Sequence, residues 1–157
     1  MKDRLEAQYG DEGNFNVREG NGQECAVFPD GTAWAFCTNW AHYVRRIEGD
    51  RAEIYGFFGE DNPTAGVNDT ADGHDFALVD GRYLVDGWVR HVECLADRTV
   101  FDLEDETDRA FVEKFYGDRS KWERGEGNEK AIDAESPERR AAAMEGVTVL
   151  EAPALRM

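Results

Sequence analysis

Lysine, proline and long apolar runs are all scarce in this chain. Only four lysines and four prolines occur among 157 residues. No stretch approaches the roughly 18 to 20 apolar residues that a membrane-spanning helix needs, so no membrane association is expected. The opening segment MKDRLEAQYG follows its charges with no apolar run, unlike an ordinary secretory leader. A cytoplasmic location is expected, and export by a specialised system stays compatible with it. Cysteine is also sparse: Cys25, Cys37 and Cys94 form an odd, widely spaced set with no CxxC pattern of a zinc or redox site. Basic charge is outnumbered, 18 residues against 34 acidic ones, for a formal charge of −16. That balance repels phosphate, so nucleic-acid binding through a basic surface is not expected. The acidity reads as solubility, with 14 Arg to four Lys, or as mimicry of nucleic acid.

What the sequence does have is core-forming material. Hydrophobic residues make up 41%, including nine Phe, four Trp and five Tyr, enough for one core at this length. We read a single domain over 1–157, with its motif-bearing core at 32–90 and a charged excursion at 118–135.

Residues 1–24 read as a short helix and then a polar loop. CAVF at 25–28 reads as a strand closed by Pro29-Asp30-Gly31. From Thr32 or Ala33 to Ile47 the period becomes helical, with Cys37, Trp40, Ala41, Val44 and Ile47 on one face and Gly49 as the stop. AEIYGFF at 52–58 is a strand, and 59–73 is a polar loop, either a lid or plain surface. HDFALV and RYLVDGWV flank Asp80-Gly81, a strong hairpin pair. VECL and TVFDL continue strand-like to about residue 103. Residues 107–117 form a helix with Phe111, Val112 and Phe115 inward. SPERRAAAMEG at 136–146 is a capped helix, and VTVLEA a last strand. The order is α+β with a mainly antiparallel sheet.

The residues bearing chemistry are Cys37, His74 and Asp86. A thiol nucleophile needs a lowered pKa, which a helix N-terminus and an imidazolium supply, and a third group must orient the base. Cys37 is near a helix start, His74 opens a strand, and Asp86 lies on the partner strand. With a two-residue loop His74 falls opposite Gly87, leaving Asp86 one step out of register. A single bulge or slightly longer turn would put both on one face. Taken singly, Cys37 reads as core, His74 as a satisfied strand histidine and Asp86 as turn chemistry. His42, five residues after Cys37, is the rival base but points about 140° away around the helix. His91 and Cys94 share a helical spacing, but two ligands make no metal site. Trp34, Trp40 and Trp88 read as core, although Trp40 and Trp88 flank the motifs and so are candidate walls of a substrate cleft.

Cys37-Thr38-Asn39-Trp40-Ala41 resembles the transglutaminase-like pattern of Cys, two residues, an aromatic and Ala at a helix start. Residues 74–88, HDFALVDGRYLVDGW, are similar to the second and third motifs of that superfamily. Gly87 stands where the superfamily usually has Pro, and Asp75 where an aromatic or small residue is commoner. The resemblance covers about residues 32–90. It implies a papain-like or transglutaminase-like fold, a nucleophile helix packed on the sheet, as also found in bacterial protein-glutamine deamidases. In it Cys37 is the nucleophile, His74 the base and Asp86 its orienter, and Gln23 is a candidate oxyanion donor. The activity implied is cysteine-dependent acyl transfer (protease, deamidase or transglutaminase) on a protein or peptide, with no metal or organic cofactor. The acidic surface favours a cationic substrate. The alternatives are a binding or inhibitory protein on an inactive thiol-protease fold, and the nucleic-acid mimic.

Overall fold

A computed structural model of the protein describes residues 1–10, 16–20, 23–28, 37–125 and 130, with backbone alone for 16–20, 23–27 and Val92. Its centre is a five-stranded antiparallel sheet in the order β6-β5-β4-β3-β7. The strands are β3 (Ala52–Phe58), β4 (Gly73–Val79), β5 (Tyr83–Val85), β6 (Val100–Asp102) and β7 (Glu123–Arg124). The sequence reading of α+β with an antiparallel sheet is what the molecule shows. Strand β4 is central and buried at every position, so successive side chains on both of its faces lose water.

The β4–β5 connection decides the geometry of the site. Asp80 and Gly81 adopt φ of 55° and 64°, and Arg82 N–H donates to Val79 C=O at 3.1 Å, which closes the turn the pair favours. Val79 nevertheless pairs with Tyr83, and Ala77 with Val85. Arg82 is thus an extra residue, and the two-residue register is corrected by one step. That shift turns Asp86 to the face of β4 that carries Phe76 and His74.

Helix α2 (Cys37–Glu48) packs on β4 and β3 through Cys37, Trp40, Ala41 and Val44 and ends at Gly49, φ 65°. Ile47 is 44% exposed, a correction to its inward assignment. Helix α1 (Lys2–Gly10) is clamped to β6 by Glu6, whose carboxylate accepts from Thr99 N–H at 2.9 Å and Val100 N–H at 2.7 Å. Helix α3 (Glu106–Tyr116) is capped by Asp105, which accepts from Asp108 N–H at 2.9 Å, and is stopped by Gly117.

Four further readings change. The polar stretch before Cys25 contains a strand, β1 (Asn16–Gly20), paired with β2 (Gln23–Val27). VECL is not a strand: Trp88–Val92 form a π-helical turn. Residues 118–125 are no loose excursion, since Asp118 caps a short turn and β7 edges the sheet against β3. The 59–73 loop is anchored by buried Asn62, Ala65 and Val67. The Pro29-Asp30-Gly31 turn, Trp34, the 136–146 helix and the VTVLEA strand lie outside the described residues.

Candidate active site

Three elements converge on β4 where β5 leaves it. Past Val85, Asp86 N–H donates to Thr99 C=O at 2.9 Å instead of pairing with β4. The Cys37 sulfur fills that gap, accepting from the Asp75 backbone N–H and facing His74.

His74 is held by its far nitrogen. Nε2 lies 2.7 Å from Asp86 Oδ2, and an ionised carboxylate accepts only, so Nε2 carries the proton. Nδ1 is then the nitrogen turned to the thiol. Its contact with the Cys37 thiol is hydrogen-bonding in character but falls outside ideal geometry, as in unliganded catalytic sites. Asp86 is itself fixed. Its Oδ1 accepts from Trp88 N–H at 3.0 Å, capping the π-helical turn, and its Oδ2 also accepts from Tyr116 Oη at 2.5 Å. Aromatic rings wall the imidazole, with Trp88 at 4.8 Å and Tyr116 at 5.5 Å between centroids.

All three groups are nearly dry: Cys37 is 5% exposed, His74 0% and Asp86 1%. Burial would strip His74 of its proton, but the Asp86 charge and the Cys37 sulfur outweigh it and raise the imidazole above its ordinary range. Burial pushes the Cys37 thiol up, against the pull of His74, while the Asp75 charge pushes the same way as burial. Tyr116 is raised well above its usual range by burial and the Asp86 charge, so it stays a donor. The arrangement can pass a proton from sulfur to Nδ1 while Asp86 fixes the ring and balances its charge.

Cys37, His74 and Asp86 therefore meet. Trp88 lies against His74, whereas Trp40 is a core side chain between Phe28, edge-on at 4.9 Å, and His91, stacked at 5.3 Å. That packing corrects Trp40 as a cleft wall. It also explains Gly87, where a Cβ would collide with the Trp40 ring. Gln23 opens β2 opposite Gly20, but its side chain, and so its oxyanion role, lies outside the described residues. His91 Nε2 is bonded to the Tyr9 carbonyl at 3.0 Å and Cys94 is exposed. Among the described residues no cluster of His, Cys, Asp and Glu could hold a metal, and no helix is long and apolar enough to cross a membrane.

One member of the site was missed from sequence, and Asp75 has a different role from the one its place after His74 suggests. Tyr116 sits one turn past Val112 on the inward face of α3, so its burial was legible, but nothing linked it to Asp86 thirty residues upstream. Asp75 is fully buried and accepts from Thr38 Oγ1 at 2.6 Å, so it does not compete for His74. No family model, curated protein or solved structure matches the sequence.

Proposed function

We propose that the protein is a cysteine-dependent acyl-transfer enzyme of papain-like or transglutaminase-like type. One observation carries this reading: His74 gives Nε2 to Asp86 while its ring meets the Cys37 sulfur. With the imidazole raised so that it holds its proton, the sulfur attacks an amide or thioester carbonyl carbon as the thiolate of a thiolate–imidazolium pair, forming the C–S bond. Collapse of the adduct breaks the bond to the leaving group, which takes the proton from His74. Water or an amine then attacks the thioester, His74 takes its proton, and the sulfur departs. Water makes the protein a protease or deamidase, and an amine makes it a transglutaminase. The charge of −16 favours a cationic peptide or protein. The thiol must stay reduced, which suits the cytoplasm.

Burial of Cys37 favours a second reading, an inactive member of the same architecture that serves as a binding protein. Mimicry of nucleic acid has less support, since Glu48, Asp80, Asp102 and Asp108 are tied to Arg or Lys partners. A brief iodoacetamide pulse at pH 6, read by mass spectrometry, separates the two main readings. Activation predicts that Cys37 labels ahead of exposed Cys94 and loses that lead in His74→Ala. Labelling in order of exposure, Cys94 first in both proteins, overturns the enzyme.

A further inference from the structure

Beside the thiol lies a slot that the acyl-transfer reading leaves unused. Gly56 of β3 pairs with Asp75 of β4 on one side and with Glu123 of β7 on the other. Directly paired residues share a sheet face, so two carboxylates flank a position with no side chain. A Cβ at Gly56 would collide with Asp75 Oδ1, so glycine is what makes room. Phe58, two residues on, lies on the same face. The backbones of Asp75 and Glu123 stand two strand spacings apart, roughly 9 to 10 Å, and the Asp75 carboxylate leans over Gly56 between them.

Lys130 lies across this gap. Its backbone N–H donates to Asp75 Oδ1 at 2.9 Å, and its ammonium reaches Glu123 Oε2 at 2.9 Å. The same Nζ sits 5.1 Å from the centre of the Phe58 ring, a cation–π distance. The other oxygen of Asp75 holds Thr38, the residue after the nucleophile. One buried carboxylate therefore joins the backbone of Lys130 to the first turn of α2. The slot reads a backbone N–H and a cation a lysine's length away, the pattern of a basic peptide residue.

We propose that the Asp75–Gly56–Glu123 slot is the subsite for a lysine of the peptide substrate, and that Lys130 occupies it in cis as a competitor. The proposal rests on the acyl-transfer reading for its consequence at Cys37, while the slot itself can be tested alone. Lys130 is joined through the Asp75 carboxylate to Thr38, the residue next to Cys37, and a substrate lysine must displace it. Emptying the slot should open the path to the sulfur.

The test uses the full-length protein and Lys130→Ala, with Lys130→Arg as the conservative variant and thermal melting to verify folding. Iodoacetamide should label Cys37 about tenfold faster in Lys130→Ala, the size expected for losing an ion pair and a cation–π contact. Lys130→Arg should label near the wild-type rate. Nα-acetyl-lysine methylamide at millimolar concentration should slow labelling of Lys130→Ala, and Glu123→Gln in that background should weaken the protection. The uncharged norleucine analogue should not protect. Equal labelling of wild type and Lys130→Ala overturns the proposal, as does equal protection by the two amides. If Cys37 labels behind Cys94 in wild type as in His74→Ala, the acyl-transfer reading falls instead. Calorimetric titration of Lys130→Ala with the two amides then decides the slot, and equal or absent binding overturns it.

Discussion

Replacing Tyr116 by Phe isolates one hydrogen bond of the site. The hydroxyl donates to Asp86 Oδ2 at 2.5 Å, the same oxygen that holds His74. Nothing else in the environment of the ring depends on it. The ring packs on Phe76 at 5.1 Å and Trp122 at 6.5 Å, and the backbone carbonyl of the residue accepts from Asn62 Nδ2 at 2.8 Å and Trp122 Nε1 at 2.9 Å. Phe keeps all of these. What is lost is one donor to a buried carboxylate, about 1.5 to 3 kcal/mol, which urea unfolding should read as a lower midpoint at unchanged slope. The loss also acts on chemistry. Without Tyr116 the Oδ2 charge falls more heavily on His74, which binds its proton more tightly. One pKa unit is worth about 1.4 kcal/mol, so a shift approaching one unit is expected. The readout is the rate of Cys37 alkylation between pH 5 and 10, whose His74-dependent limb should move to higher pH. A stability change under about 0.5 kcal/mol together with an unmoved pH profile would refute the coupling.

Asp86→Asn should keep the Trp88 cap through its carbonyl oxygen but leave His74 without its counter-charge, lowering turnover by a factor on the order of 10² to 10⁴; an unchanged alkylation rate contradicts this. Gly87→Ala should destabilise by about 1 to 3 kcal/mol, because its Cβ meets the buried Trp40 ring, and a neutral result in urea denaturation would show that the helix can yield there. His74 is raised in the folded state, so the charged His74–Asp86 pair stabilises fully below the unfolded imidazole value of about 6.5. That stability is lost as pH rises through the raised folded value, so the melting-temperature gap between wild type and His74→Gln should shrink in alkali. A gap that widens with pH reverses the sign of the linkage.

Local rules made much of this fold legible. Apolar periodicity marked α2 and α3, glycine marked their ends, and Asp80-Gly81 marked the hairpin. The errors share a cause, that neighbours decide what local pattern cannot. VECL carries one strong β-former, Val92, but follows Asp86, whose carboxylate caps a helical turn. Glu123–Arg124 is two charged residues, with no strand pattern to read, and pairs only because β3 offers an open edge. Ile47 keeps the apolar period of α2 into its last turn, beyond the sheet that would cover it. At the site, the types and order of Cys37, His74 and Asp86 were legible, but their contact hung on a single residue of register.

That residue is Arg82. The Asp80-Gly81 turn closes as its backbone demands, yet the ladder resumes at Tyr83. The cause lies on the next strand and in side-chain pairing. The Arg82 carbonyl accepts from Leu103 N–H at 2.9 Å, and its guanidinium grips Asp102 with two bonds at 2.8 and 2.9 Å. Both partners lie at or just past the end of β6, so the extra residue is held by the sheet edge, not by the turn. A strand slipped by one residue would put Leu84 and Asp86 on the opposite faces. Leu84, fully buried here, would lose its place in the core, and Asp86 would lose His74. Packing of the hairpin and assembly of the carboxylate–imidazole pair are therefore one constraint. The bond that orients the base is maintained by the same apolar burial that fixes the register.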